Sequence, residues 1–182
     1  RGLAAAFEGR DNIIALHTCG KALGASGALV TGPGLLCDYL VNRCRPFIYS
    51  TAPSPLMAVA VREAIAMLSD EPQRRVQLQE RVAFAGRQLA ERCGVAPSGS
   101  QIQPFVIGDN KRTMAVAAAL QARGLELPGI RPPTVPEGTP LLRISLALTF
   151  DQYAISALVG GLCVVFCGRL PNDTLAPGPI PG

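Results

Sequence analysis

The chain has 182 residues and a formal net charge of +4, with 48% hydrophobic, 16% charged and 5% aromatic residues. That balance belongs to a folded chain large enough to bury a core, and it excludes a disordered one. The charge comes from 15 Arg and 2 Lys scattered against 13 acidic residues, without the one-sided basic face and stacking aromatics of a nucleic-acid binder.

The longest apolar run, Ala157 to Cys167, contains two glycines and is too short to cross a bilayer. The six cysteines form no CxxC pair and His17 is the only histidine, so a metal site is not expected. Cysteines scattered among apolar neighbours point instead to reduced, buried thiols in a cytoplasmic protein. Cys163 and Cys167 share a helical face and read as small core residues. The chain opens Arg1-Gly2-Leu3, with neither an initiator methionine nor a signal-peptide pattern, and is expected to be a piece of a longer protein.

In chain order, Asn12 to Leu16 reads as a short buried strand. Gly20, Gly24 and Gly27 punctuate the next segment, and Ala28 to Thr31 reads as a second strand. Pro33 to Arg43 is expected to be helical, with proline at its first turn. Phe47 to Thr51 reads as extended, and Pro53 and Pro55 open a long helix to about Leu68. A second long helix runs from about Pro72 to Cys93 and is ended by Gly94. Its Arg74, Arg75, Glu80, Arg81, Arg87, Glu91 and Arg92 are expected to form a solvated face. Phe105 to Ile107 reads as a strand, Thr113 to Arg123 as a helix closed by Gly124, and Leu125 to Ile130 as extended. Leu141 to Leu148 alternates like a strand, and Asp151 can cap a last helix reaching Val165. This order predicts a small α+β domain whose sheet is covered on one side. Leu170 to Gly182, with four prolines and two glycines, is expected to be a loose tail.

The chemistry-bearing segment is HTCGKALGASGALV, from His17 to Val30. Lys21 follows a strand and sits between the small residues Gly20 and Ala22, which leave room for a planar ligand against the backbone. A lysine that forms an imine must be neutral part of the time, a state that burial near other cations favours. Thr18 adds a hydroxyl that can donate to a phosphate oxygen. A Walker phosphate loop does not fit, because Ala15 and Ala22 stand where its first glycine and its magnesium-binding hydroxyl belong. From spacing alone, a surface lysine in a flexible turn is the simpler reading. His17 reads as packing at the strand end.

Thr18 to Ala28, TCGKALGASGA, resembles the cofactor-lysine motif of the α-oxoamine synthases. These are pyridoxal-phosphate enzymes of the class-II, aspartate-aminotransferase-like α/β transferase fold. FIYSTAPSP (Phe47 to Pro55) is similar to the family's Tyr-Ser-Thr segment. IQPFVIGDNKR (Ile102 to Arg112) and IRPPTVPEGTPLLRISL (Ile130 to Leu146) resemble one branch of the family, whose members join L-alanine to a pimeloyl thioester for biotin synthesis. The likeness runs from about Gly2 to Val165. It implies that residues 1–68 end a large cofactor-binding domain, 69–168 supply a linking helix and a small C-terminal α+β domain, and 169–182 form the tail.

By the same resemblance Lys21 carries pyridoxal 5'-phosphate and then acts as base or proton carrier at the substrate's α-carbon. Thr18 bonds the cofactor phosphate. Thr51, together with Ser50, reaches the phosphate of a partner subunit's site, implying a homodimer with shared active sites. Arg143 receives the substrate carboxylate, its planar fork matching the carboxylate plane, and Arg131 shapes the acyl entrance. The partners implied are L-alanine and pimeloyl-CoA or pimeloyl-acyl carrier protein, with no nucleic acid and no membrane. Glycine acetyltransferase and 5-aminolevulinate synthase share the lysine motif, although RPPTVPEGT (Arg131 to Thr139) argues against both. A non-catalytic remnant or interaction subunit is the alternative of another class. The family's ring-stacking histidine, its aspartate paired with the pyridine nitrogen and a second histidine have no counterpart in this chain. The resemblance therefore implies that residues 1–182 alone do not turn over substrate.

Overall fold

A computed structural model describes residues 3–7 and 9–168, so the expected tail lies outside the described residues. The chain divides between Pro72 and Gln73 into two compact units.

The first unit begins with a 3-10 turn, Leu3–Phe7, and a hairpin of β1 (Ala15–Thr18) and β2 (Ala28–Thr31). These strands pair antiparallel, from Ala15 opposite Thr31 to Thr18 opposite Ala28. The expected burial of the first strand does not hold: Leu16 is 71% exposed, and Ala15 alone in the strand is half-buried. Helix α1 (Gly34–Arg43) follows Pro33, as the proline signal requires. The expected extension over Phe47 to Thr51 is corrected. Arg45–Ile48 is a short helix, α2, with Pro46 in its first turn, where a missing N–H leaves no intrahelical bond unmade. Helix α3 (Pro55–Asp70) starts where Ser54 Oγ accepts the Leu56 N–H at 3.3 Å. Of its residues only Val61 is buried.

The second unit holds the hydrophobic core. Its elements are α4 (Gln73–Cys93), β3 (Ile102–Val106), α5 (Asn110–Gln121), β4 (Gly129–Ile130), β5 (Leu141–Ser145) and α6 (Gln152–Cys167). The sheet is antiparallel in the order β3-β5-β4, with Pro104 opposite Arg143 and Ile130 opposite Leu141. Residues alternate across it. Gln103, Phe105, Leu142 and Ile144 face inward, the last three in one core with Ala85 and Leu89 of α4, Val116 and Leu120 of α5, and Ile155, Val159 and Leu162 of α6. One face is covered and the other open, as the sequence predicted.

The helix ends follow side-chain chemistry. Asp109 Oδ1 accepts the Arg112 N–H and Asp151 Oδ1 the Ala154 N–H, each at 2.7 Å. The first of these caps starts α5 at Asn110, before the expected Thr113. Leu125 to Ile130 is strand only at Gly129–Ile130, and β5 stops at Ser145. Gly94, with φ 69°, ends α4 in the left-handed region that glycine enters without penalty. Along α4 the expected solvated face is interrupted. Arg81 and Arg92 are half-buried, and Arg81 Nη1 lies buried without a hydrogen-bond partner. Phe105 and Phe166 meet edge-on at 4.9 Å between centroids, with the Arg112 guanidinium 4.6 Å over Phe166.

Leu162 is fully buried, so Leu162→Ala is expected to cost about 2–5 kcal/mol of stability in urea unfolding. Tyr153→Ala, on the same helix but 82% exposed, should stay within about 0.5 kcal/mol.

Candidate functional site

The loop joining β1 to β2 is fixed by its backbone. The Cys19 N–H donates to the Gly27 carbonyl at 2.9 Å and the Ala25 N–H to the Cys19 carbonyl at 3.0 Å, extending the hairpin beyond its strands. The Gly24 N–H donates to the Lys21 carbonyl at 3.0 Å and closes a tight turn. Gly24 and Gly27 have φ of 61° and 99°, so the turn depends on glycine at both positions. Cys19 is 1% exposed and anchors the loop from inside.

The lysine of this turn is therefore held by its backbone while its side chain is exposed. The shielding expected for Lys21 is not supplied by the described residues around it. A Cβ built on Gly20 would lie 3.9 Å from Thr18 Oγ1 and 3.8 Å from the Ala25 carbonyl, an ordinary contact distance. The Thr18 hydroxyl thus stands beside Gly20, next to Lys21 in the chain. A primary amine, a nearby hydroxyl and small neighbours fit a phosphate-bearing aldehyde cofactor.

Ser50 and Thr51 are exposed in the segment between α2 and α3, in the same unit as Lys21 but on a different loop. Arg143 and Arg131 belong to the second unit. The inward Leu142 and Ile144 force Arg143 onto the open face of the sheet, and its N–H donates to the Pro128 carbonyl at 3.1 Å. Its cross-strand partner is Pro104, and Ile102 and Val106, both exposed, lie on the same face of the sheet. Arg131 follows β4 directly and is exposed, and its carbonyl accepts the Thr134 N–H at 3.0 Å in the turn that carries Pro132 and Pro133.

His17 is exposed, which corrects the expectation that it packs at the strand end. With Ala15 it lines a cleft of about 560 Å³ that also includes Phe7, Arg10, Asp11 and Ile13. Lys21 is not in its lining. The sequence drew no attention to Arg10 and Asp11, and the alternation placing Ala15 and His17 on one face of β1 was the available signal.

This hairpin and the one-sided sheet are parts of a known architecture: residues 2–157 match the family described as aminotransferase class I and II, and the chain belongs to that family. The chain is 41% identical over 162 residues to 8-amino-7-oxononanoate synthase 2 of Polaromonas sp. (strain JS666 / ATCC BAA-500), covering 84% of this chain and 40% of that protein. It is 43% identical over 158 residues to 8-amino-7-oxononanoate synthase of Chromohalobacter salexigens, covering 86% of this chain and 41% of that protein. It thus spans about 40% of the length of these relatives. A solved structure of SPT with PLP superposes with a TM-score of 0.82 at 23% identity, covering 92% of this chain and 43% of that one. The fold is the corresponding part of the aspartate-aminotransferase-like transferase architecture. Among the described residues no helix is long and apolar enough to cross a membrane.

Proposed function

We propose that this chain is the lysine-bearing part of a pyridoxal-phosphate-dependent enzyme that condenses L-alanine with a pimeloyl thioester to give 8-amino-7-oxononanoate for biotin synthesis. The observation that carries this is Lys21 presented on a glycine-closed hairpin turn, with the Thr18 hydroxyl beside the adjoining Gly20. The identity of about 40% to synthases of that name supports it.

In this account Lys21 holds the cofactor through its amine, and Thr18 Oγ1 donates to the phosphate. Bound there, pyridoxal phosphate supplies an electron sink for bonds broken at an amino acid's α-carbon. The Lys21 amine then takes and returns the α-proton. Arg143 grips the substrate carboxylate and so fixes which α-carbon bond is presented for cleavage. Arg131 borders the entrance for the acyl chain, whose thioester is carried by coenzyme A or acyl carrier protein. Ser50 and Thr51 serve the phosphate of the second protomer's site in a cytoplasmic homodimer. Residues 1–68 act as the end of the large domain, and residues 69–168 as the linking helix and small domain.

This activity belongs to a protein of the relatives' full length. Exposed apolar residues of the first unit, among them Leu16, Leu35 and Tyr49, are surfaces such a protein covers. Purified residues 1–182 are expected to give no turnover, because an exposed Lys21 lacks the water-excluding site that the chemistry needs. Measurable product from that chain alone would contradict this. The test of substrate class is a panel of amino acids and acyl thioesters offered to the full-length protein. L-Alanine with a pimeloyl thioester should give the highest kcat/KM. Preference for glycine with an acetyl or succinyl thioester would assign the chain to a sibling activity, and no turnover with any pair would favour a non-catalytic role.

A further inference from the structure

Cys93 is the last residue of α4, next to the left-handed turn at Gly94, and Cys163 lies on α6, which packs against α4. Their sulfurs are 3.0 Å apart although the residues are separated by 70 positions. A disulfide bond is about 2.05 Å long, so closing the pair needs the sulfurs to move together by only about 1 Å. Cys163 is 6% exposed, and its thiol also lies 3.5 Å from the Arg92 carbonyl, to which it can donate. Cys93 is half-buried, and is thus the more exposed residue of the pair. Other thiols are placed differently: those of Cys19 and Cys37 each lie 3.9 Å from a backbone carbonyl. The proposed condensation has no use for the Cys93–Cys163 pair.

We propose that Cys93 and Cys163 form an oxidisable dithiol whose reaction partner is a small-molecule disulfide. The Cys93 sulfur attacks one sulfur of that disulfide, breaks its S–S bond and releases the first small thiol. The Cys163 sulfur then attacks the Cys93 sulfur and displaces the second small thiol. The two protein thiol protons end on the two released thiols, the protein is oxidised by two electrons, and the small disulfide is reduced by two. The resulting bridge fastens the end of α4 to α6 and encloses β3, α5, β4 and β5, including Arg143, in one covalent loop. Constraining so long a loop raises the thermal stability of the second unit.

The test is to incubate the full-length protein with oxidised glutathione, alkylate the remaining thiols, digest with trypsin and map the peptides by mass spectrometry. Cleavage at arginine and lysine places Cys93 on the peptide Cys93–Lys111, and Cys163 with Cys167 on Ile144–Arg169. A cross-link between these peptides is expected in the wild type and in Cys167→Ser, and its loss in Cys163→Ser. The oxidised wild type should melt several degrees higher than the reduced form, and dithiothreitol should reverse the shift. If Cys163→Ser does not fold, the Cys167→Ser map decides, since Cys163 is then the only thiol on its peptide. Glutathione adducts without a cross-link, a bridge lost in Cys167→Ser, or an unchanged melting midpoint in bridged protein would each overturn the proposal.

Discussion

Lys21→Ala in the full-length protein is expected to lower turnover by roughly a thousandfold or more, with little change in folding. The size follows from removing one group with two tasks. Loss of a proton carrier at the reacting carbon alone costs about a hundredfold to ten-thousandfold, and loss of the covalent anchor adds to it. The small effect on folding follows from position, because the exposed side chain is not needed by the turn, which the Gly24 N–H closes onto the Lys21 carbonyl. Lys21→Arg sharpens the comparison: it keeps a positive charge but cannot condense with an aldehyde, so it should fail as badly as alanine. If the arginine variant worked well, Lys21 would be acting through its charge. Lys111, the chain's other lysine, lies in the first turn of α5 in the other unit, and Lys111→Ala should leave steady-state rates unchanged.

Arg143→Ala is expected to produce the next largest loss, about a hundredfold or more in kcat/KM for the amino acid. A carboxylate held by two charge-assisted hydrogen bonds loses about 1.5–3 kcal/mol with each one, and every 1.36 kcal/mol is a factor of ten in rate. Arg143→Lys should recover part of this loss but not all, because an ammonium group cannot reproduce the planar fork. The decisive feature is the split between substrates: the amino-acid dependence should worsen while the acyl-thioester KM stays near its wild-type value. Equal damage to both would reassign Arg143 to the acyl group or to strand packing. Stability should hardly change, since Leu142 and Ile144 on either side hold the strand in the core without help from the guanidinium.

Arg143's outward direction was legible in the sequence because the alternation of Leu142, Arg143 and Ile144 has one physical solution on a one-sided sheet. The capping aspartate of α6 was legible for a similar reason, and Asp109 carried the same signal ahead of α5. The segment from Phe47 was misread: its aromatic and branched residues favour a strand, but Pro46 fits the first turn of a helix, and that local geometry prevailed. The expected burial of β1 failed for another reason. Its apolar residues read as a buried strand, yet in the described residues Leu16 stays exposed. The role proposed for Lys21 could not be read from spacing, since one lysine among glycines also describes a surface turn. It rested on several motifs in the family's order. The contact between Cys93 and Cys163 had no sequence signal, because it joins two helices distant in the chain.

The central claim is that the amine at position 21 is the one that bonds the cofactor. The most direct measurement is borohydride reduction of the full-length protein loaded with pyridoxal phosphate, followed by proteolysis and mass mapping of the labelled peptide. The account predicts a single phosphopyridoxyl label on Lys21, absent when the same procedure is applied to Lys21→Ala. A label on any other residue, or none, would contradict it.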